Sequence, residues 1–265
     1  METNSITDYL QQIEDLIPAL QMGLLPDGIG KVYHKFAESD TIEVTPSIMN
    51  SFQNPDPFND AGDALYISSS STDTTLIYLE GVEHGTGNII SEYITLTGQT
   101  AVPLTKVFRT IFRGFNANGV PLIGDVWVGT EAIPAAGVPN VLNAYCHIPA
   151  SYGGKVANQT ITSIFTIPTG FSGFVTNWYG NAPKGKDIEL IAYARQPGGV
   201  FRYQEHLFNY QSSAQKQLPW LKFPAGADFK VEGITSQGTQ NGIVTYDLVL
   251  VSNDFISKFR PLSWR

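Results

Sequence analysis

The sequence predicts an all-β chain: an antiparallel β-sandwich of jelly-roll type with a short N-terminal α-helix and an extended arm. Three observations point there. Short runs rich in β-branched and aromatic residues recur from Ala64 to Ser252, separated by Gly, Pro and Asn turns. The composition holds 25 Gly and 16 Pro with only 15% charged residues, which suits short strands and argues against a helical bundle or a disordered chain. The clearest stretch, EYITLTGQTAVPLTKVFRTIFRGF from Glu92 to Phe115, alternates apolar and polar residues on both sides of a polar turn, as a half-buried hairpin does.

The first element is the one helix. Thr3, Asn4 and Ser5 offer capping oxygens, and Ile6, Leu10, Ile13, Leu16, Ile17 and Leu20 follow at helical spacing with Asp8, Gln11, Glu14 and Asp15 between them. Pro18 bends or ends it, and Met22-Gly23 closes it. The six apolar residues form a stripe that has to pack on something, either the chain's own β body or a partner or sister subunit. They are the candidate anchor. Residues 23–63 mix two β-like runs, Lys31–Phe36 and Thr41–Val44, with SFQNPDPFNDAGD, which reads as a linker or surface arm.

The division expected is therefore an anchoring segment, 1–63, and a sandwich body, 64–265. One continuous body is favoured over two sub-sandwiches at 64–130 and 155–252, because 64–130 alone has few well-patterned strands. Strands are expected near 64–69, 74–80, 88–97, 104–113, 124–130, 160–167, 173–179, 187–195, 200–209, 218–223, 227–236 and 242–252. A long loop, 132–158, separates the fifth from the sixth. FTIPTGFSGFV and LKFPAGADFKV each place a Pro-x-Gly corner between apolar strands, at Pro168 and Gly170 and at Pro224 and Gly226. In the presumed hairpin, Ile94 and Leu96 face one way, and Phe108 and Phe112 alternate with Arg109 and Arg113. Those arginines are expected in solvent or against carboxylates of a neighbouring subunit.

Net charge is −8 with no basic block, so neither nucleic acid nor an anionic membrane surface is an expected partner. Cys146 is the sole cysteine, which fits folding in a reducing cytoplasm and rules out an internal disulfide. The acidic N-terminus lacks a basic region followed by an apolar core, so no signal peptide is expected. No stretch approaches 18 apolar residues.

Chemistry is sparse. His34, His84, His147 and His206 show no metal-ligand spacing. Glu80, Glu83 and His84 lie in a turn and read as solvated charges rather than an acid–base pair. Asp56, Asn59, Asp60 and Asp63 could offer oxygens to calcium, but the spacing is not that of a calcium loop, and an Asx-rich turn is the simpler reading. Cys146 and His147 are adjacent, so their side chains diverge on an extended chain. No phosphate-binding, dinucleotide or nucleophile-elbow motif occurs, and no catalytic residue, metal or cofactor is expected. Trp127, Trp178, Tyr179, Tyr203, Phe208, Tyr210 and Trp220 are mostly core or interface rings. Trp178 and Tyr179, just before the loop GNAPKGK, are the candidate glycan or surface contacts.

LIYLEGVEHGTGNIISEYITLTGQTAVPLTKVFRTIFRGFNANG resembles a segment of virion structural proteins of tailed bacteriophages, notably marine ones. Glu92, Ile94, Leu96, Gly98, Thr100, Val102 and Arg109 occupy the matching places. FTIPTGFSGFV, PAGADFKV and TYDLVLV resemble the closing strands of those proteins. The resemblance covers 74–130 and 160–252. It implies a non-enzymatic particle component: capsid decoration, head fibre, neck or tail accessory. Its partners would be other virion proteins and itself, a trimer being expected. It would be made in host cytoplasm and located in the virion. The alternative is a carbohydrate-binding adhesin or receptor-binding protein. A depolymerase is disfavoured because no carboxylate pair at convergent strand ends is visible.

Overall fold

A computed structural model describes residues 29–52, 54–183, 186–210 and 213–258, with side chains at 209, 210, 213–221 and 258 left undescribed. The helix expected over the first 22 residues, with Ile6, Leu10, Ile13, Leu16, Ile17 and Leu20, lies outside the described residues.

In chain order the strands begin with β1 Gly30–Ile42, β2 Ser47–Ile48, β3 Tyr66–Ser69, β4 Leu76–Glu83, β5 Ile89–Thr95 and β6 Val102–Pro103. They continue with β7 Phe108–Asn116, β8 Val126–Gly129, β9 Ala144–Ile148, β10 Ser151–Tyr152, β11 Lys155–Val156 and β12 Phe165–Thr166. The last are β13 Phe171–Asn181, β14 Asp187–Arg195, β15 Arg202–Tyr210, β16 Ser213–Phe223, β17 Asp228–Ile234 and β18 Gln240–Ser252, followed by a short helix α1, Asn253–Lys258. All pairings between these strands are antiparallel.

The strands form two sandwiches, each burying one face of each sheet as alternating antiparallel strands do. The first pairs sheet β1-β18-β13-β16 with sheet β12-β17-β14-β15, to which β2 adds alongside β17. Its core holds Val175, Trp178, Ile188, Leu190, Phe229, Val231, Tyr246 and Leu248. The second packs sheet β5-β4-β7 on sheet β6-β3-β8-β9 around Ile67, Ile77, Leu79, Phe108, Ile111, Val126 and Ile148. In sequence the second sandwich sits between β2 and β12, so it is an insertion into the first.

Several expectations change. Residues 30–42, read as part of an arm, are a 13-residue strand paired with β18 from Gly30↔Val251 to Ile42↔Gln240. The inward positions Tyr33, Lys35, Ala37 and Ser39 include a lysine and a serine, which breaks the apolar period that marks a buried strand face. The stretch from Glu92 to Phe115 is no hairpin: β5 and β7 lie on opposite sides of β4. Their connection turns tightly at Thr97↔Thr100 and lends β6 to the opposite sheet before returning. The expected faces nonetheless hold, with Ile94 and Leu96 buried and Tyr93 62% exposed. The long loop also contains β9, missed because AYCHI is short and flanked by Pro139 and Pro149. Both Pro-x-Gly corners are present, with Gly170 and Gly226 at φ of +82° and +76°, a conformation that glycine adopts at no steric cost.

Candidate functional site: the junction of the two sandwiches and the exposed faces

The insertion is fastened to the first sandwich mainly through β7. Bulges in its pairing with β4, between Glu80 and Gly81 and between Val82 and Glu83, break the alternation. Phe108 and Ile111 therefore fill the inserted core, while Phe112 joins the other one. There the Phe112 ring stacks on Phe165 at 4.3 Å between centroids, and Tyr33 meets both at 5.2 and 5.0 Å. Such pairs contribute about 0.5–1.5 kcal/mol each beyond the area they bury.

Charge flanks this aromatic trio on both sides. On one, Asp228 at the start of β17 has a fully buried side chain and accepts from Arg109 Nη2 and Arg195 Nε, each at 2.6 Å, and from Thr166 Oγ1 at 2.7 Å. Asp60, on the connector leading into the insertion, accepts from Arg195 at 2.6 Å and Arg109 at 3.2 Å. The Arg195 guanidinium lies against the rings of both Phe58 and Phe201, at 5.0 and 4.7 Å. Thr110 and Thr166 bridge β7 to β12 at 2.5 Å. Burial pushes the Asp228 carboxyl above its ordinary range, against the pull of Arg109, Thr166 and Arg195. For Arg195 burial opposes the charge, yet the Asp228 hydrogen bond and the carboxylates around it hold the pKa above its usual value. On the other side Lys35 Nζ donates to the Phe112 carbonyl at 2.5 Å, and Tyr33 Oη donates to Glu80 at 2.9 Å. Lys31 and Arg113 reach the same Glu80 at 3.2 and 3.5 Å. Burial lowers the Lys35 ammonium to about 7 and pushes the Cys146 thiol up to about 12.

Arg109 thus meets carboxylates of its own chain, where sequence reasoning left solvent or a neighbouring subunit, while Arg113 reaches Glu80 and stays 57% exposed. Asp60 of the Asx-rich turn belongs to the junction. Asn59 holds that turn by donating to the carbonyls of Asp63 and Phe108, at 2.9 and 3.0 Å. His84 contacts the Asp60 carbonyl at 3.1 Å. Among the described residues no group of three or more His, Cys, Asp or Glu side chains is placed to hold a metal.

One alignment was not visible in the sequence. His147 Nδ1 lies 2.8 Å from Ser51 Oγ, and its Nε2 lies 3.5 Å from Asp125. The residue types are those of a hydrolase triad, but the surroundings are not. His147 is buried, stacked on Trp127 at 4.0 Å with Phe52 against its edge. The backbone N–H groups of Ser51 and Phe52 are already spent, on the Ile161 carbonyl and on Asn50 Oδ1. The trio ties the connector to β8 and β9. Cys146, buried with its thiol kept protonated, offers no nucleophile.

Of the two ring residues singled out for glycan contact, Trp178 is in the core at 2% exposure and Tyr179 is at the surface at 37%. A register shift in β13 between Val175 and Asn177 puts Val175 and Trp178, three apart, on the same inward face. Strict alternation would have turned Trp178 outward. Large apolar side chains also stand exposed on loops of the insertion: Ile133 at 93%, Ile123 at 71%, Val120 at 64% and Leu142 at 63%.

No family model matches the chain, and no curated protein does. Among solved structures it is similar to that of infectious bursal disease virus Gt strain, with 12% identity over 89% of this chain and 78% of that one, at a TM-score of 0.23. The infectious bursal disease virus VP2 subviral particle gives 11% over 92% and 79%, at 0.21. A Bacillus thuringiensis Cry1Da tryptic core variant gives 10% over 81% and 53%, at 0.17. Scores this low carry no functional inference.

Proposed function

We propose that the chain is a non-enzymatic structural component of a virus particle, of the tailed-phage type its sequence resembles. It self-associates as a homo-oligomer and docks through its N-terminal segment. The observation that carries this reading is the junction. Asp228, Arg109, Arg195, Glu80 and Lys35, groups that could otherwise serve chemistry, are all committed to fastening one sandwich to the other. For assembly the chain offers contact area: long strands, and loops of the insertion that present Ile123, Ile133 and Leu142 to a neighbour. Ile6, Leu10, Ile13, Leu16, Ile17 and Leu20 supply an apolar stripe suited to a groove on a partner.

The test is incorporation. Full-length chain and a chain lacking residues 1–22 are supplied during particle assembly, and their co-sedimentation with purified particles is compared. The full chain is expected in the particle fraction and the truncated chain in the soluble one. Equal incorporation of both would refute anchoring through this segment, and absence of the full chain from particles would refute the virion role.

A further inference from the structure

The outer face of the sheet β1-β18-β13-β16 carries an arrangement that the assembly reading does not use. In one cross-strand row His34 of β1 is in register with Asp247 of β18. Asp247 holds His34 Nδ1 at 2.5 Å through one oxygen and the Asn177 amide of β13 at 2.9 Å through the other. In the next row Thr245 is in register with Phe36 on one side and Tyr179 on the other. The two rings, 38% and 37% exposed, stand on strands separated by one other, about 10 Å apart. They flank a shallow cavity of about 400 Å³ whose floor is the His–Asp–Asn row.

The chemistry of this cleft narrows its ligand. Two half-exposed rings offer apolar faces, while a carboxylate, an amide, an imidazole and two hydroxyls offer hydrogen bonds within the same patch. The His34 Nε2, the Asn177 amide oxygen and the Thr245 and Tyr179 hydroxyls take no partner among the described residues. A purely apolar ligand would leave the Asp247 carboxylate desolvated without compensation. An added peptide strand needs free backbone groups, and β18 has none because it is paired on both sides. A phosphate or sulfate ester would meet Asp247 and a chain of net charge −8. A ring with one apolar face and a rim of hydroxyls satisfies every term, and the cavity size is that of a small-molecule site.

We propose that this cleft binds a neutral saccharide. The sugar faces stack on Tyr179 and Phe36, and its hydroxyls donate to Asp247 and Asn177 and exchange hydrogen bonds with His34 and Thr245. The inference is independent of the virion reading, since incorporation into a particle does not require it.

The experiment presents the full-length chain to an array of neutral hexose oligosaccharides beside sialylated and sulfated counterparts. Tyr179→Ala, Asp247→Asn and, as a control on a different sheet, Tyr203→Ala are run in parallel. The expected result is binding to neutral glycans, weakened at least tenfold by Tyr179→Ala and by Asp247→Asn and unchanged by Tyr203→Ala. Should Asp247→Asn fail to fold, His34→Gln, at a side chain 71% exposed, removes the imidazole from the floor instead and should weaken binding likewise. Absence of any glycan binding, binding confined to anionic glycans, or wild-type binding by the cleft variants would each overturn the proposal.

Discussion

Lys35 behaves unlike an ordinary lysine. It is buried beside the junction, with its ammonium lowered from 10.5 to about 7 because burial disfavours the charge. Between those values the unfolded chain binds a proton that the folded chain does not, so stability rises with pH across this window. Below about 7 the folded state must accommodate the charge, and the penalty is fully present. Above pH 9 the Cys146 thiol, held protonated in the fold, acts in the opposite direction, as does the raised Tyr33 hydroxyl. Urea unfolding from pH 7 to 9 should therefore show stability climbing with pH, by on the order of 1 kcal/mol per unit at most. Lys35→Met should remove that slope, at the cost of leaving the Phe112 carbonyl without its donor. A wild-type profile as flat as that of the variant would contradict the account of Lys35.

At the scale of elements, β7 is the part on which the architecture turns, because its bulges let one strand serve two cores. Asp228 is the group that secures it. Replacing Asp228 with Ala leaves the largely buried Arg109 and Arg195 guanidinium groups with the half-exposed Asp60 as their remaining shared carboxylate, a change expected to cost about 3 kcal/mol. It should also split a single unfolding transition into two, as the insertion loses its hold on the first sandwich. Intrinsic tryptophan fluorescence follows both, since Trp127 lies in the insertion and Trp178 in the first sandwich. A variant that unfolds in one step at wild-type stability would show that the cluster fastens nothing.

The same elements show what a sequence makes legible. β14 was read at 187–195, where it lies, because Ile188, Leu190, Ala192 and Ala194 alternate without interruption. The corners at Gly170 and Gly226 were legible because proline and glycine state their own backbone geometry. β1 was not, since its buried face includes Lys35 and Ser39, and their partners come from strands far along the chain. Trp178 was turned to the wrong face by a bulge that no local pattern announces. The partnership of β5 and β7 with β4 depends on a connection that crosses between sheets. For the proposed cleft, the surface position of Tyr179 was legible and the gathering of its neighbours was not, because His34, Phe36 and Asp247 come together only through the pairing of β1 with β18.

For the whole molecule, that same pairing joins the first and the last of the described strands in one sheet. The aromatic trio and the charges on either side of it hold the two sandwiches as one block. Such a block suits repeated contact, and multivalent display lends avidity without strong single sites. The claim on which this depends is that the chain works as an assembled surface. Native mass spectrometry of the purified full-length chain over a range of concentrations tests it most directly. A single oligomer whose mass is an integral multiple of 29.0 kDa and does not change on dilution is the predicted result. A monomer at every concentration would contradict it.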